Sequence, residues 1–177
     1  VLAVLLGNGQ SLDAAVAAVA QAEAPPGRLQ TLGGGDLPLA VVDYAHTPDG
    51  LERLLDAARR VAGTTGSLVV VFGCGGNRDR PKRPVMGAVA SRAADRVVVT
   101  SDNPRDESPE EIIAEIVEGI DRTSSALVTT IVDRREAICE ALAAAKRGDV
   151  VVIAGKGHEA TQEFADRTID FDDRAVA

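Results

Sequence analysis

Apolar residues recur along this 177-residue chain in two rhythms. Unbroken runs at Leu37–Val42, Ser67–Phe72, Arg96–Thr100, Ala126–Val132 and Val150–Ala154 have strand length and are rich in β-branched residues. A strand with one face in water would alternate, so these runs predict a sheet covered on both faces. Between them lie stretches with helical spacing, each with its own start signal. Thr47-Pro48-Asp49 opens a helix through Arg60, and Pro84 opens one through Ala94. Ser108-Pro109-Glu110-Glu111 opens another to about Ile120, and Asp133 one to Lys146. Ser, Thr and Asp at these points accept bonds from the orphan amides of a first turn, and proline there gives up an N–H that has no partner anyway. Earlier in the chain, Ser11 and Asp13 cap a helix through the Ala/Val block to about Glu23, and Pro25-Pro26-Gly27 ends it. The tail from Glu163 predicts a short apolar strand and the start of a last helix. Strands alternating with helices predict an α/β fold, a mainly parallel sheet flanked by helices.

Composition sharpens this picture. Aromatic residues are only 2% of the chain and Trp is absent, so the core must be built from Ala, Val, Leu and Ile. A net charge of −8 argues against nucleic acid or an anionic membrane as partner. No run approaches the roughly 20 apolar residues that span a bilayer, and no secretory signal is evident. Cys74 and Cys139 stand far apart and form neither a disulfide framework nor a metal-ligand spacing. The expectation is a cytoplasmic protein without a metal site. The opening residues read as the end of something larger, so the chain is expected to be a fragment.

Ligands of open α/β sheets bind at the carboxyl ends of the strands. Here those ends carry Asp43-Tyr44-Ala45-His46-Thr47-Pro48-Asp49, Gly73-Cys74-Gly75-Gly76-Asn77-Arg78-Asp79, Asp102-Asn103-Pro104-Arg105 and Gly155-Lys156-Gly157-His158-Glu159. The glycines allow backbone amides to approach a ligand closely. Arg78, Lys82, Arg83, Arg105 and Lys156 are expected to form a basic pocket, with Glu159 supplying the opposite sign. Guanidinium groups grip a carboxylate through paired hydrogen bonds, so a zwitterion suits such a pocket: arginine for its carboxylate, glutamate for its ammonium. Plainer readings stand beside these. The glycine loop serves equally as a tight turn, and it lacks the third glycine of a dinucleotide fingerprint. Asp102-Asn103-Pro104 suits a turn, His46 a cap, and Cys74 a small packing residue. Asp170–Asp173 matches no calcium loop, and no GxxxxGK[ST] phosphate loop occurs.

Taken together, the four loops, with Lys82-Arg83-Pro84 and Met86-Gly87 after the second, resemble the Mur ligase family in order and spacing across nearly the whole chain. Within it they resemble the branch that adds the third amino acid to UDP-N-acetylmuramoyl-L-alanyl-D-glutamate. The Asp-Asn-Pro-Arg motif goes with meso-diaminopimelate rather than L-lysine. The resemblance implies a three-domain, ATP- and Mg2+-dependent amide ligase of peptidoglycan synthesis. In such enzymes ATP phosphorylates a glutamyl carboxylate, and the incoming amine attacks the acyl phosphate. Residues 1–27 then correspond to the end of the central ATPase domain, and 28–177 to the Rossmann-like C-terminal domain. Arg78, Asn103, Arg105, Gly155 and Glu159 are implied contacts of diaminopimelate, with Asp102 and Pro104 shaping their loop. Arg28, Asp43 and His46 are implied to lie on the nucleotide side. No catalytic residue is assigned within the chain, which is expected to be inactive alone and to work with the N-terminal and central domains of the same enzyme. The family usually carries acids where this chain has Gln30 and Asn77, and the chain stops short of the family's final helix. The alternatives are a sibling folylpolyglutamate or cyanophycin-type ligase, a non-catalytic binding module for a cell-wall precursor and, more remotely, a nicotinamide-dependent oxidoreductase.

Overall fold

A computed structural model describes residues 2–20 and 25–177. Two short helices, α1 (Leu2–Gly7) and α2 (Leu12–Ala20), precede the Pro25–Gly27 segment. Then follow β1 (Gln30–Gly33), β2 (Leu39–Asp43), α3 (Pro48–Ala62), β3 (Leu68–Phe72), α4 (Lys82–Ala93) and β4 (Arg96–Val99). The chain continues through α5 (Pro109–Glu118), β5 (Leu127–Thr130), α6 (Arg134–Ala144) and β6 (Val150–Ala154). It closes with β7 (Thr161–Glu163), β8 (Thr168–Asp170) and α7 (Asp173–Val176).

Six strands form one sheet in the order β1-β2-β6-β3-β4-β5, parallel throughout except for β1, which runs antiparallel along β2. Strands β3 and β6 lie at the centre and every residue of both is buried. Each face needs its own cover. On one face α3, α4 and α5 pack Leu51, Leu55, Met86, Ile112 and Ile116 against Val70, Phe72 and Val152. On the other, α6 and Phe171 of the tail cover Val69, Val71, Val151 and Ile153. Leu51, Leu54, Leu55, Ala58 and Ala62 recur at the three-to-four spacing that makes one apolar stripe on α3.

The start signals operate as their chemistry requires. Thr47, Ser108 and Asp133 accept from the backbone N–H groups of Gly50, Glu111 and Glu136, each three residues on. Pro48 and Pro109 occupy the first turns. Helix α4 begins at Lys82, before the expected Pro84, which sits in the first turn without cost to the hydrogen-bond ladder. The strand expected at Leu37–Val42 is β2, displaced to Leu39–Asp43. Three elements were not legible from periodicity. Helix α1 carries no cap signal, edge strand β1 is four residues long and half exposed, and the tail forms a β7–β8 hairpin rather than one strand. The helix expected through Glu23 is seen to Ala20, and its remaining stretch lies outside the described residues.

One ion pair ties the tail to the sheet. The fully buried Arg134, at the start of α6, meets the fully buried Asp173 of α7 through Nε and Nη2, both at 2.8 Å. Its remaining donors reach the carbonyls of Ala154 (3.0 Å) and Ser101 (3.3 Å). Removing one partner of such a pair strands the other charge in the interior. Arg134→Met is therefore expected to destabilise the domain by about 3–5 kcal/mol in urea titration. Breaking the exposed Arg147–Asp36 pair should cost less than about 1 kcal/mol.

Candidate functional site

Because β2, β6, β3 and β4 are parallel and adjacent, the four motif loops leave the sheet at one edge and meet there. Close approach between them depends on missing side chains. A Cβ on Gly76 would fall on the carbonyl of Pro104, whose loop also accepts the Gly76 N–H through Asn103 O at 2.9 Å. Gly155 has a φ of 116°, and a Cβ there would come within 2.7 Å of Asp102 Oδ2. The result is an open cleft of about 420 Å³. Arg78, Asp102, Asn103, Arg105, Gly155 and Glu159, six of the seven positions expected on the amino-acid side, line it. Pro104 is buried behind it, where it shapes the loop.

At the floor, three side chains close a triangle. Lys156, fully buried, donates to Asn103 Oδ1 at 3.0 Å and to Glu159 Oε2 at 3.2 Å. Asn103 Nδ2 donates to the same Glu159 oxygen at 2.8 Å. Since Asn103 Oδ1 also accepts the Glu163 N–H at 3.0 Å, its amide is held in one orientation. Asp102 Oδ1 accepts the Asn103 N–H at 2.7 Å and so bends the loop locally. Arg78 also lines the cleft and takes part in none of the ion pairs among the described residues. A guanidinium without an ionic partner among the described residues and a carboxylate engaged through one oxygen thus line the same cleft, a combination that suits a zwitterion.

The three positions expected on the nucleotide side gather around a residue that had not been singled out. The Arg28 guanidinium lies 5.2 Å from the centre of the Tyr44 ring, and the His46 and His158 rings lie 4.6 and 5.3 Å from it. Asp43 accepts from the backbone N–H groups of Leu29 and Ala45, at 2.8 and 2.7 Å, and so holds the loops together rather than facing the cleft. His46 Nδ1 donates to the Tyr44 carbonyl at 2.8 Å, while Lys82 Nζ donates to the His46 carbonyl at 2.6 Å. Tyr44, His46 and Lys82 all line the cleft.

The expected basic pocket needs correcting at two positions. Lys156 is neutralised by Glu159 beneath the surface and offers the cleft no free charge. Arg83 lies outside the cleft altogether, fully buried between Glu107 and Glu115 at 2.8 Å each, with Nη2 on the Gly75 carbonyl at 3.2 Å. A buried arginine demands carboxylates, and Glu107 of the acidic run Asp106–Glu111 supplies one of them. Glu107 also accepts the Asn77 N–H at 2.5 Å. Asn77 has a φ of 54°, a left-handed conformation that Asn tolerates, and its side chain reaches Asp106 rather than the cleft. Its lack of an acidic side chain therefore does not alter the cleft lining.

Cys74 packs against Met86 Sδ at 3.7 Å, and burial pushes its thiol up to about 12. It is a packing residue. Among the described residues no three His, Cys, Asp or Glu side chains are grouped to hold a metal ion. The sequence carries no GxxxxGK[ST] phosphate loop.

Two outcomes are expected. Hydrogen bonds from Arg83 and then from the Asn77 N–H hold Glu107 at about 2, below the ordinary 4.5. A depressed carboxylate stabilises the fold above its unfolded value and loses that contribution as pH falls toward the folded one. Glu107→Gln should thus lower stability at pH 7 and flatten its decline between pH 4.5 and 2, in urea titrations across pH. Iodoacetamide at pH 8 should label the exposed Cys139 and spare Cys74, as read by peptide mass spectrometry.

The model of the Mur ligase, glutamate ligase domain matches residues 27–157. A UDP-N-acetylmuramoyl-L-alanyl-D-glutamate--2,6-diaminopimelate ligase of Syntrophomonas wolfei is 52% identical over 160 residues, 90% of this chain and 32% of that protein. The enzyme of the same name from Pseudomonas putida is 50% identical over 176 residues, 99% of this chain and 35% of that protein. The chain therefore spans about a third of the length of these curated relatives. A solved structure of a ligase of that name superposes with a TM-score of 0.78 at 45% identity, covering 99% of this chain and 35% of that one. The bifunctional folylpolyglutamate synthase/dihydrofolate synthase of Yersinia pestis, solved with AMPPNP and a Mn ion, superposes at 0.64 with 26% identity, over 87% of this chain and 34% of its own. The family model covers most of the chain, and this chain belongs to the Mur ligase family.

Proposed function

We propose that this chain is the amino-acid-selecting domain of an ATP-dependent amide ligase that joins meso-diaminopimelate to UDP-N-acetylmuramoyl-L-alanyl-D-glutamate. The observation that carries this reading is the pairing of an unpartnered Arg78 with the Asn103–Lys156–Glu159 triangle across one cleft. Diaminopimelate has two amino-acid ends. One amine must stay free to form the amide, so the other end has to be held. In this reading Arg78 and Arg105 take its carboxylate, and Glu159 with Asn103 takes its ammonium. L-lysine lacks that second carboxylate and would leave the two guanidinium groups without their ligand partner, a form of discrimination that a polar site can use.

The relatives named as diaminopimelate ligases support the substrate, at about half identity over nearly the whole chain. In this reading the phosphate loop that drives the phosphoryl step lies in the part of the longer enzyme outside this chain. This part, in the same reading, holds the amino acid that supplies the nucleophile. The Arg28, Tyr44, His46 and His158 cluster is the face assigned to the nucleotide when the domains close. Residues 1–27 belong to the central domain in this proposal, and 28–177 to the C-terminal one. The setting proposed is the cytoplasm, where the nucleotide-linked precursor is soluble. No helix among the described residues is long and apolar enough to cross a membrane. A folylpolyglutamate-type substrate is less well served, because glutamate offers no second ammonium to the Glu159 side of the cleft.

Calorimetric titration with meso-diaminopimelate, with L-lysine as control, tests the proposal. The expected outcome is saturable binding of the first only, weakened at least roughly tenfold in Arg78→Ala, since a bidentate guanidinium contact is lost. Equal binding of lysine, or indifference to Arg78, would remove diaminopimelate as the ligand.

A further inference from the structure

The β7–β8 hairpin lies beyond residues 27–157, the stretch matched by the family model, and its first strand touches the Asp102–Arg105 loop. Gln162 donates to Ser101 Oγ at 3.0 Å and to the Asp102 carbonyl at 2.7 Å. Glu163 makes three contacts. Its N–H goes to Asn103 Oδ1 at 3.0 Å, and its carbonyl accepts the Arg105 N–H at 3.1 Å. Its carboxylate stands 2.9 Å from Arg105 Nε. We infer that Glu163 is a positioning residue for Arg105: it holds the Nε side of the guanidinium, so that the Nη edge is presented to the cleft as a carboxylate receptor. The inference rests on the amino-acid-binding role proposed above.

Three observations support it. Arg105 has a φ of 52°, left-handed backbone that a long L side chain adopts only when its surroundings impose it, and Glu163 grips that backbone N–H. Arg105 Nη1 donates to the Gly76 carbonyl at 3.0 Å, which together with the Nε contact fixes the plane of the fork. Nη2 has no partner among the described residues, and Arg105 lines the cleft whereas Glu163 does not. A ligand carboxylate can therefore meet the Nη edge without displacing Glu163. A partly exposed pair of this kind adds little to stability, so its consequence is orientation rather than folding.

The test is a double-mutant cycle on the chain, with meso-diaminopimelate as titrant. Glu163→Gln keeps the side-chain length and both main-chain contacts and removes the charge. It should weaken binding about fivefold with the melting midpoint unchanged, and the loss should vanish in an Arg105→Ala background. Asp at the same position, Glu163→Asp, should recover part of the affinity by restoring the charge. Tighter binding in Glu163→Gln would make Glu163 a competitor for Arg105 and overturn the inference. An equal loss in both backgrounds would overturn it too, since Glu163 would then act elsewhere. Should the unsubstituted chain show no saturable binding, the functional proposal fails instead. The pairing is then read by NMR: Glu163→Gln should shift the Arg105 Nε–H resonance and leave that of Arg134, sealed against Asp173, in place. An unmoved Arg105 resonance overturns the inference independently of any ligand.

Discussion

Arg134 is buried, so its charge has to be met by partners within the fold. Its guanidinium joins Asp173 of the last helix to the carbonyls of Ser101 and Ala154. Those two carbonyls belong to the carboxyl ends of β4 and β6, the points where the Asp102–Arg105 and Gly155–Glu159 loops depart. One side chain thus sets the separation of the two loops that carry Asn103 and Glu159, and it anchors the tail whose hairpin braces them. The lower wall of the cleft is a consequence of that anchor. Phe171, two residues before Asp173, contributes the apolar half of the same attachment by packing on the α6 face of the sheet.

Charge is handled in the opposite way on the two sides of the glycine loop. Behind it, Arg83 is sealed by Glu107 and Glu115, and the same Glu107 fixes the left-handed Asn77. In front of it, Arg78 has no ionic partner among the described residues. One arginine of this stretch is consumed in holding the loop, and the other is left to the proposed ligand. The Lys156 triangle follows the same logic at the other wall. Buried charge that is fully matched orders Asn103, and the oxygen of Glu159 that remains is the one open to the cleft.

The α/β class, the four central helices and the identity of the motif loops were legible in the sequence because they rest on local chemistry. Valine runs specify strands buried on both faces, and a Ser, Thr or Asp cap before a proline or an acid specifies where a helix starts. The rule that parallel strands place their carboxyl ends on one edge then brought Arg78, Asn103, Arg105, Gly155 and Glu159 together before any coordinates. What failed was the state of each charge. Lys156 and Arg83 read as pocket cations like Arg78, since nothing in a linear pattern says which lysine or arginine will meet a carboxylate many positions away.

Only the tertiary structure decided those pairings, and with them the parts played by Tyr44, Gln162, Glu163 and Asp173. Gln162, Glu163 and Asp173 act across sequence separations too long for any local signal: Glu163 is 58 positions from Arg105, and Asp173 is 39 from Arg134. The β7–β8 hairpin was equally hidden, because its short strands pair with each other and pack by side-chain contacts on another loop rather than through a periodic apolar face. Sequence by itself determined which residues could bear the chemistry and which edge of the sheet they would share. Burial, which makes an unpaired charge intolerable, determined which of them were consumed in ion pairs and which were left without an ionic partner among the described residues.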